Sequence, residues 1–197
     1  GGNTARSERR LGEQLAAQHR VSAESFGWHR DNTIGLTPQD NTPDADWVRF
    51  YVQRRLRFQL ELAAREGYAG PLTERGALLC ERVVQFFAGH RPVPSLLHGD
   101  LWGGNWATDA HGQPVVFDPA VYYGDREADL AMTRLFGGFG AAFYEAYSSA
   151  WPLDQGEPER RTLYNLYHVL NHLNLFGGGY LRQAQSMIDR LLAITQG

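Results

Sequence analysis

Three polar side chains between residues 98 and 118 have the types and the spacing that phosphoryl transfer needs. Asp100 is followed five residues later by Asn105, and Asp118 ends the short apolar run 115–117. In kinases, one aspartate accepts the proton of the acceptor hydroxyl, while an asparagine and a second aspartate hold Mg²⁺ against the nucleotide phosphates. We therefore predict Asp100 as the catalytic base and Asn105 and Asp118 as the ligands of Mg²⁺.

The chemistry of Mg²⁺ explains why so few protein ligands are predicted. Mg²⁺ is a hard cation that keeps several waters and is usually bound through one or two carboxylates together with substrate phosphates. Glycines at 99, 103 and 104 let the backbone and a substrate approach each other closely. Asp100 and Asn105 could also be ordinary turn residues of a glycine-rich loop. The strand-like run before Asp118 favours the catalytic interpretation.

Residues 98–105, called the catalytic segment below, and their flanks resemble the fructosamine kinase (ketosamine-3-kinase) family, within the aminoglycoside phosphotransferase and protein-kinase-like superfamily. The resemblance rests on three segments: His98-Gly-Asp-Leu-Trp-Gly-Gly-Asn105, Phe117-Asp-Pro-Ala-Val-Tyr-Tyr-Gly-Asp-Arg-Glu-Ala-Asp-Leu-Ala-Met132 and Asp31-Asn-Thr-Ile-Gly-Leu-Thr-Pro-Gln39. The first segment is compatible with any small-molecule kinase of this superfamily. The other two are similar to the ketosamine kinases in particular.

The resemblance implies ATP-dependent and Mg²⁺-dependent phosphorylation of the sugar 3-hydroxyl of ketosamines, which are fructosamine or ribulosamine adducts on amines. Such an activity serves protein deglycation. The resemblance also implies that Asp129 braces the catalytic loop, and we assign His98 to the same support. Trp102 is our candidate to pack against the sugar, with core packing as the alternative. His29 is a second candidate for contact with the substrate, although a lone histidine in a loop is more often a surface residue.

The composition indicates a soluble globular chain. Of the 197 residues, 43% are hydrophobic and 21% are charged, and no apolar run approaches the ~18 residues of a membrane span. The net charge of -3 and the lack of long basic runs argue against a nucleic-acid surface. The single Cys80 cannot close an intrachain disulfide and is expected to pack as a small hydrophobe. We therefore expect a cytoplasmic protein with no membrane and no nucleic-acid partner.

All 19 basic residues are arginine, so the chain contains no lysine. Kinases of this general fold use a lysine of the N-terminal lobe to pair with the nucleotide phosphates and a Gly-rich loop to cover them. The segment 11–20 also resembles the helix that follows the hinge after the N-terminal lobe in complete family members. We therefore expect residues 1–197 to form one domain, the C-terminal catalytic and substrate lobe, with the N-terminal nucleotide lobe missing and the isolated lobe inactive. The alternative is a natural lysine-free relative.

Apolar residues at helical spacing predict a mostly helical chain. The predicted helices cover 5–19, 46–66, 73–88, a segment from about 126, 141–150, 158–176 and 180–194, and a long loop that packs through Trp28, Ile34 and Leu36 covers 21–46. Short strands are predicted at 96–97, 106–108 and 114–117. The last two form a hairpin that presents Asn105 and Asp118 at neighbouring strand ends. The predicted fold class is α+β and mostly helical, the C-terminal lobe of the protein-kinase-like fold with a small catalytic β-hairpin.

Two rival functions stay open at this point. An aminoglycoside-type or choline-type kinase would share Asp100, Asn105 and Asp118 but not the segment 118–124. A non-catalytic binding domain would explain the missing lysine but not the intact set of Asp, Asn and Asp. His168 and His172 have the spacing of a two-histidine metal face, yet the glutamate of H-E-x-x-H is absent, so a structural role is favoured.

Overall fold

The structure, a computed structural model, describes residues 4–195 and is built mainly of helices. They are α1 Ala5–His19, α2 Trp47–Tyr51, α3 Arg57–Ala63, α4 Pro71–Arg82, α5 Glu127–Leu135, α6 Ala141–Ala150, α7 Glu157–Phe176 and α8 Leu181–Ile194. Two π-helical segments, Val52–Leu56 and Ala64–Tyr68, continue α2 and α3. The helix predicted over 46–66 is therefore continuous but has two wider turns, and its helical backbone breaks at Gly67, where φ is 93°.

Helix α1 matches its predicted bounds and packs against α6. It begins with a capping box, in which the Ser7 amide donates to the Thr4 hydroxyl at 3.2 Å and the Thr4 amide donates to the Ser7 hydroxyl at 2.9 Å. At the crossing with α6, a Cβ on Gly12 would collide with the carbonyl oxygen of Phe143. The glycine therefore lets the two helices approach closely.

The loop predicted over 21–46 contains a short hairpin that the sequence did not predict. Strand β1, Asn32–Ile34, pairs antiparallel with β2, Thr37–Gln39, around a turn at Gly35 and Leu36. Ile34 is buried, as expected. Leu36 is 88% exposed, so the prediction that it packs was wrong. The reason is its place at the tip of the turn, where its side chain faces solvent.

The start of α4 also differs from the prediction that Thr73 caps it. The helix begins at Pro71, with Gly70 in the N-cap position, because the fixed φ of proline suits the first helical turn. Thr73 is the third helical residue, and its hydroxyl accepts the Gly70 amide at 3.1 Å. After Arg82 a 3₁₀ segment, Val83–Phe87, leads towards the catalytic segment.

The remaining strands form two antiparallel pairs that frame the catalytic segment. Strand β3, Ser95–Leu97, pairs with β6, Tyr122–Gly124. Strand β4, Trp106–Thr108, pairs with β5, Pro114–Val116, which confirms the predicted hairpin. The segment with Asp100 and Asn105 therefore runs from β3 to β4.

Two apolar clusters hold these elements together. The larger cluster lies between α2, α3, α4, α7 and α8. The smaller cluster joins α1 and α6 to the catalytic segment, and its buried members are Leu11, Leu15, Ala16, Leu101, Trp106, Leu130, Phe143 and Tyr147. Burial of one large apolar side chain contributes about 1.5–3 kcal/mol. Leu101 and Trp106 thus anchor the catalytic segment on both sides of its centre.

Cys80 is a free thiol buried in the larger cluster, as the sequence predicted. Burial raises the pKa of this thiol to about 11. Since the thiolate is the reactive form, Cys80 is inert at neutral pH. Within residues 4–195, none of the helices is both long enough and apolar enough to cross a membrane.

Candidate active site

The catalytic segment leaves β3 and turns sharply at Gly99. The φ angle of Gly99 is 85°, and a Cβ at this position would collide with the carbonyl oxygen of Ala120. The Ala120 amide donates to the His98 carbonyl at 2.8 Å. This turn brings residues 98–100 against the chain that follows Asp118.

Asp129, in the first turn of α5, holds the beginning of the segment. Its Oδ2 accepts the His98 amide at 2.7 Å, and its Oδ1 accepts the Gly99 amide at 2.8 Å. Burial alone would raise the pKa of this carboxyl, but the hydrogen bond with His19, the nearby ring of His98 and the Gly99 amide lower that pKa below its usual value. Asp129 is thus a buried carboxylate that fixes two consecutive amides directly before Asp100.

The ring of His98 is held at both nitrogens. Nε2 lies 2.8 Å from the Phe117 carbonyl, which can only accept, and Nδ1 lies 3.2 Å from the Asp100 amide, which can only donate. Nε2 therefore donates and Nδ1 accepts in these two hydrogen bonds. His98 therefore ties the backbone of Asp100 to the residue before Asp118.

The β4–β5 hairpin places Asn105 between Asp100 and the end of β5. Nδ2 of Asn105 donates to the Asp100 carbonyl at 2.9 Å and lies 3.4 Å from Oδ2 of the Asp100 carboxylate. The Asn105 carbonyl accepts the Phe117 amide at 3.1 Å, so Asn105 lies beside the strand end that carries Asp118. Since Nδ2 is used in this way, Oδ1 is the side-chain atom that can serve a cation.

Asp118 follows β5 in a strained backbone conformation. Its φ angle of 51° is the one positive value at a residue other than glycine within 4–195. Such strain persists where the surrounding structure imposes it, often at functional sites. The side chain is exposed. The Asp118 carboxylate and the Asn105 amide oxygen are hard oxygen donors, which fit Mg²⁺ once waters and phosphates complete the coordination.

The surroundings of Asp100 disfavour its negative charge. Burial raises the pKa of the carboxyl to about 6, and the carboxylates of Asp129 and Asp118 act in the same direction, whereas His98 and the hydrogen bond from Asn105 oppose the rise. A carboxyl with this pKa is ionised at pH 7 but basic enough to take up a proton during a reaction. Those are the properties of a general base.

We expect Asp100→Asn to stabilise the fold at neutral and alkaline pH, because asparagine resembles the protonated acid and carries no charge into a partly buried position. The pKa of Asp100 is raised above 3.8 in the folded protein. The aspartate therefore costs no stability below about pH 4, where it is protonated, and it destabilises the fold as the pH rises through about 6. The free energy of unfolding of the variant should exceed that of the unchanged chain by about 1–2 kcal/mol at pH 8, and the two should be equal near pH 4. Urea titrations without Mg²⁺ measure both values. The same difference at both pH values would contradict the raised pKa.

A polar network that the sequence did not predict fixes the chain after Asp118. Gln39 of β2 is buried, donates to the Ala120 carbonyl at 3.2 Å and accepts the Tyr167 hydroxyl at 2.8 Å. Asn32 of β1 donates to the Val121 carbonyl at 2.8 Å. The β1–β2 hairpin therefore clamps residues 120–121. The one sequence signal for this hairpin was the family resemblance of segment 31–39, which named no contact.

Trp102 and His29 are both accessible to a ligand. Trp102 is 41% exposed and its ring lies over Gly104, so the alternative of core packing was wrong. His29 is exposed, and its ring packs on Trp28 with 4.8 Å between centroids. Contact of either side chain with a substrate stays a prediction.

A second cluster of ionisable groups lies where α5 and α7 begin. His90, Glu127 and Asp154 place possible ligand atoms within 4.8 Å of one another. Arg160, however, donates to both oxygens of Glu127, at 2.7 and 2.9 Å, and pairs with Asp154 as well. A metal ion would have to displace this guanidinium. The cluster is therefore an ion-pair network that joins α5 to α7.

His168 and His172 contact each other on α7, and His172 also packs against two phenylalanine rings. Nδ1 of His172 donates to the His168 carbonyl at 2.8 Å, and the His172 ring packs against Phe136 and Phe176. Burial lowers the pKa of His168 to about 3, so its ring is neutral. These contacts agree with the predicted structural role.

Comparison with known proteins gives one consistent result. The family model described as fructosamine kinase matches residues 2–194. A probable ketoamine kinase of Synechocystis is 51% identical over 94% of this chain, and a chloroplastic protein-ribulosamine 3-kinase of Oryza sativa is 46% identical over 94%. A crystal structure named as a candidate fructosamine-3-kinase from Thermobifida fusca superposes with a TM-score of 0.91 at 36% identity, over 98% of this chain and 67% of its own.

A more distant structure shows the fold alone. The gentamicin–APH(2″)-IIa complex has a TM-score of 0.55 at 13% identity, over 98% of this chain and 63% of its own. Together these structures confirm the predicted kinase-like fold. This chain spans 62% of the Synechocystis relative and 55% of the Oryza relative.

Proposed function

This chain belongs to the fructosamine kinase family, and from this premise we propose that its protein phosphorylates the sugar 3-hydroxyl of ketosamines with ATP. The substrates would be fructosamines or ribulosamines carried by amines, and the reaction would serve the repair of glycated proteins. The names of the relatives support the ketosamine class. The observation that carries the proposal is the convergence of Asp100, Asn105 and Asp118 on one loop and one hairpin.

Asp100 is the proposed acceptor of the hydroxyl proton. The acceptor O–H donates to the Asp100 carboxylate, the hydroxyl oxygen forms a bond to the γ-phosphorus, and the bond from that phosphorus to the ADP oxygen breaks. The proton passes to Asp100 and is released to water after the product leaves. A pKa of about 6 supports this role, because the carboxylate is then regenerated at neutral pH.

Asn105 Oδ1 and the Asp118 carboxylate are the proposed ligands of Mg²⁺. Bound there, Mg²⁺ would neutralise charge on the nucleotide phosphates. The hydrogen bond from Asn105 Nδ2 to Asp100 orients the amide, so its oxygen stays free for the cation. His98 and Asp129 would hold the backbone of Asp100 at a fixed distance from these ligands.

Trp102 and His29 are the proposed contacts of the substrate outside the reacting atoms. An exposed indole beside the base offers a flat apolar face to a sugar ring. The expectation that a nucleotide lobe lies outside residues 1–197, and that these residues alone are inactive, stays a prediction. A cytoplasmic location, where ATP is available, is part of the same proposal.

A panel of acceptors tests the proposed substrate class. The protein at its natural length is given ATP and Mg²⁺ with a fructosamine, a ribulosamine, an aminoglycoside or choline, and ADP release is followed while mass spectrometry identifies the product. We expect kcat/KM for a ketosamine to exceed that for the other acceptors by at least about 100-fold. A 3-deoxy ketosamine is the matched control and should give no product.

Any other result of this assay would favour one of the two rival functions. Preference for the aminoglycoside or for choline would place the protein with those kinases. A folded protein that binds ATP but phosphorylates no acceptor would support the non-catalytic binding domain.

A further inference from the structure

We propose that His19, the last residue of α1, is a positioning residue that acts on the catalytic base through Asp129. Its kinetic consequence rests on the proposed function, whereas its structural consequence can be measured without any substrate. His19 is fully buried, at 0% exposure, between α1, α5 and α6. It is therefore a polar side chain enclosed beside the support of the active site.

Both ring nitrogens of His19 have a polar partner. Nε2 lies 3.0 Å from Oδ2 of Asp129, and Nδ1 lies 2.8 Å from the hydroxyl of Tyr147 on α6. The Tyr147 ring also meets the imidazole edge-on, with 5.6 Å between centroids. His19 thus joins three helices at the carboxylate that holds the amides before Asp100.

The partners also fix the direction of the hydrogen bonds. Nη1 of Arg126 lies 3.1 Å from the Tyr147 hydroxyl, and a guanidinium can only donate. The hydroxyl oxygen accepts from Arg126, and its own proton is available to Nδ1 of His19. Nε2–H of His19 then points at Asp129, which can only accept. Donors run in one direction from Arg126 to Asp129, and such chains strengthen their members.

Asp129 has three donors, but they are not equivalent. The amides of His98 and Gly99 belong to the loop itself, so they move with the carboxylate and cannot define its orientation. His19 is held independently by α1 and by Tyr147. Without Nε2–H the carboxylate can rotate, and Asp100 moves with the two amides. Phosphoryl transfer depends on placing the base to within a fraction of an ångström, so a displaced Asp100 should lower kcat. KM should change little, because it depends on other residues.

A pair of variants separates positioning from space filling. His19→Gln places an amide nitrogen near the position of Nε2, so it can donate to Asp129 and accept from Tyr147. His19→Asn is also polar and uncharged, but its shorter side chain keeps the contact with Tyr147 and cannot reach Asp129. His111→Gln, in the exposed turn between β4 and β5, is the surface control and should leave activity unchanged.

Kinetics and amide exchange give two independent readouts on the protein at its natural length. We expect His19→Asn to lower kcat by about 10–100-fold with KM within about threefold, and His19→Gln to stay within about fivefold of the unchanged kcat. Hydrogen–deuterium exchange at the His98 and Gly99 amides should be at least about tenfold faster in His19→Asn and unchanged in His19→Gln. The Tyr123 amide, which donates to the Gly27 carbonyl at 2.8 Å, is the reference.

Equal losses of kcat in the two variants, or unchanged exchange at His98 and Gly99 in His19→Asn, would overturn the proposal. If circular dichroism shows that His19→Asn does not fold, Tyr147→Phe replaces it. That variant keeps the ring and removes the hydroxyl, and unchanged exchange at the same amides would again overturn the proposal. Exchange needs no substrate, so a protein without ketosamine kinase activity would refute the proposed function while the exchange rates still decide the role of His19.

Discussion

Replacement of Asp100 by asparagine is expected to lower kcat for transfer to a ketosamine by about 10²–10⁴-fold, the usual contribution of a positioned general base. The change removes the proton acceptor but no group proposed to touch the phosphates, so the affinity for ATP should stay within about threefold. Asparagine has the size of aspartate and leaves the backbone contact with Asn105 in place. Steady-state kinetics with saturating ketosamine and calorimetric titration with ATP measure the two quantities separately.

The same variant tests whether lost activity reflects lost structure. Its kcat should fall while its free energy of unfolding at pH 8 rises, so the two effects have opposite signs. Asp189→Asn, on the exposed surface of α8, is the matched control and should keep full activity. If Asp100→Asn retained turnover within about threefold of the unchanged protein, Asp100 could not be the base.

Removal of the Asp118 carboxylate should raise the Mg²⁺ concentration for half-maximal activity by at least about tenfold. A site with few protein ligands loses much of its affinity with one carboxylate. Glycine is the best replacement, because alanine at a φ angle of 51° would add about 1 kcal/mol of backbone strain. Asn105→Ala should shift the midpoint less, since an amide oxygen carries no formal charge. Activity measured against Mg²⁺ concentration gives all midpoints.

Asp118→Asn is the matched comparison for this experiment. Asparagine tolerates left-handed backbone and keeps one oxygen, so its midpoint should lie between those of the unchanged protein and Asp118→Gly. Urea unfolding should show Asp118→Gly to be more stable than Asp118→Ala, which separates backbone strain from metal binding. An unchanged midpoint in Asp118→Gly would mean that the metal ligand lies elsewhere in the protein.

The helices and strands near the proposed base could be predicted because the sequence patterns that indicate them are local. Turn residues at 109–112 between two short apolar runs indicate the β4–β5 hairpin, and the spacing of Leu11 and Leu15 indicates α1. A hairpin places the residues at its two open ends side by side. Residue types and strand pairing together therefore predict that Asn105 and Asp118 lie at neighbouring strand ends.

The contacts that hold these elements could not be predicted, because their partners are distant in sequence. Gln39 meets Ala120 and Tyr167, and His19 meets Asp129. No periodicity or turn signal relates such positions. The β1–β2 hairpin was missed for a similar reason, since each strand has three residues and hydrogen bonds of polar side chains, rather than apolar alternation, fix its place.

The division of the apolar core into two clusters predicts the order in which parts of the structure open on heating. Leu101 and Trp106, which flank the centre of the catalytic segment, belong to the smaller cluster with α1 and α6, whereas α7 and α8 belong to the larger one. Proteins open in cooperative units of different free energy, and a unit with fewer buried side chains opens at the lower cost. Separation of α1 and α6 would remove the packing of Leu101 and Trp106 while the larger cluster stays folded. We therefore expect thermal inactivation and the main calorimetric transition to be distinct events, with inactivation at the lower temperature.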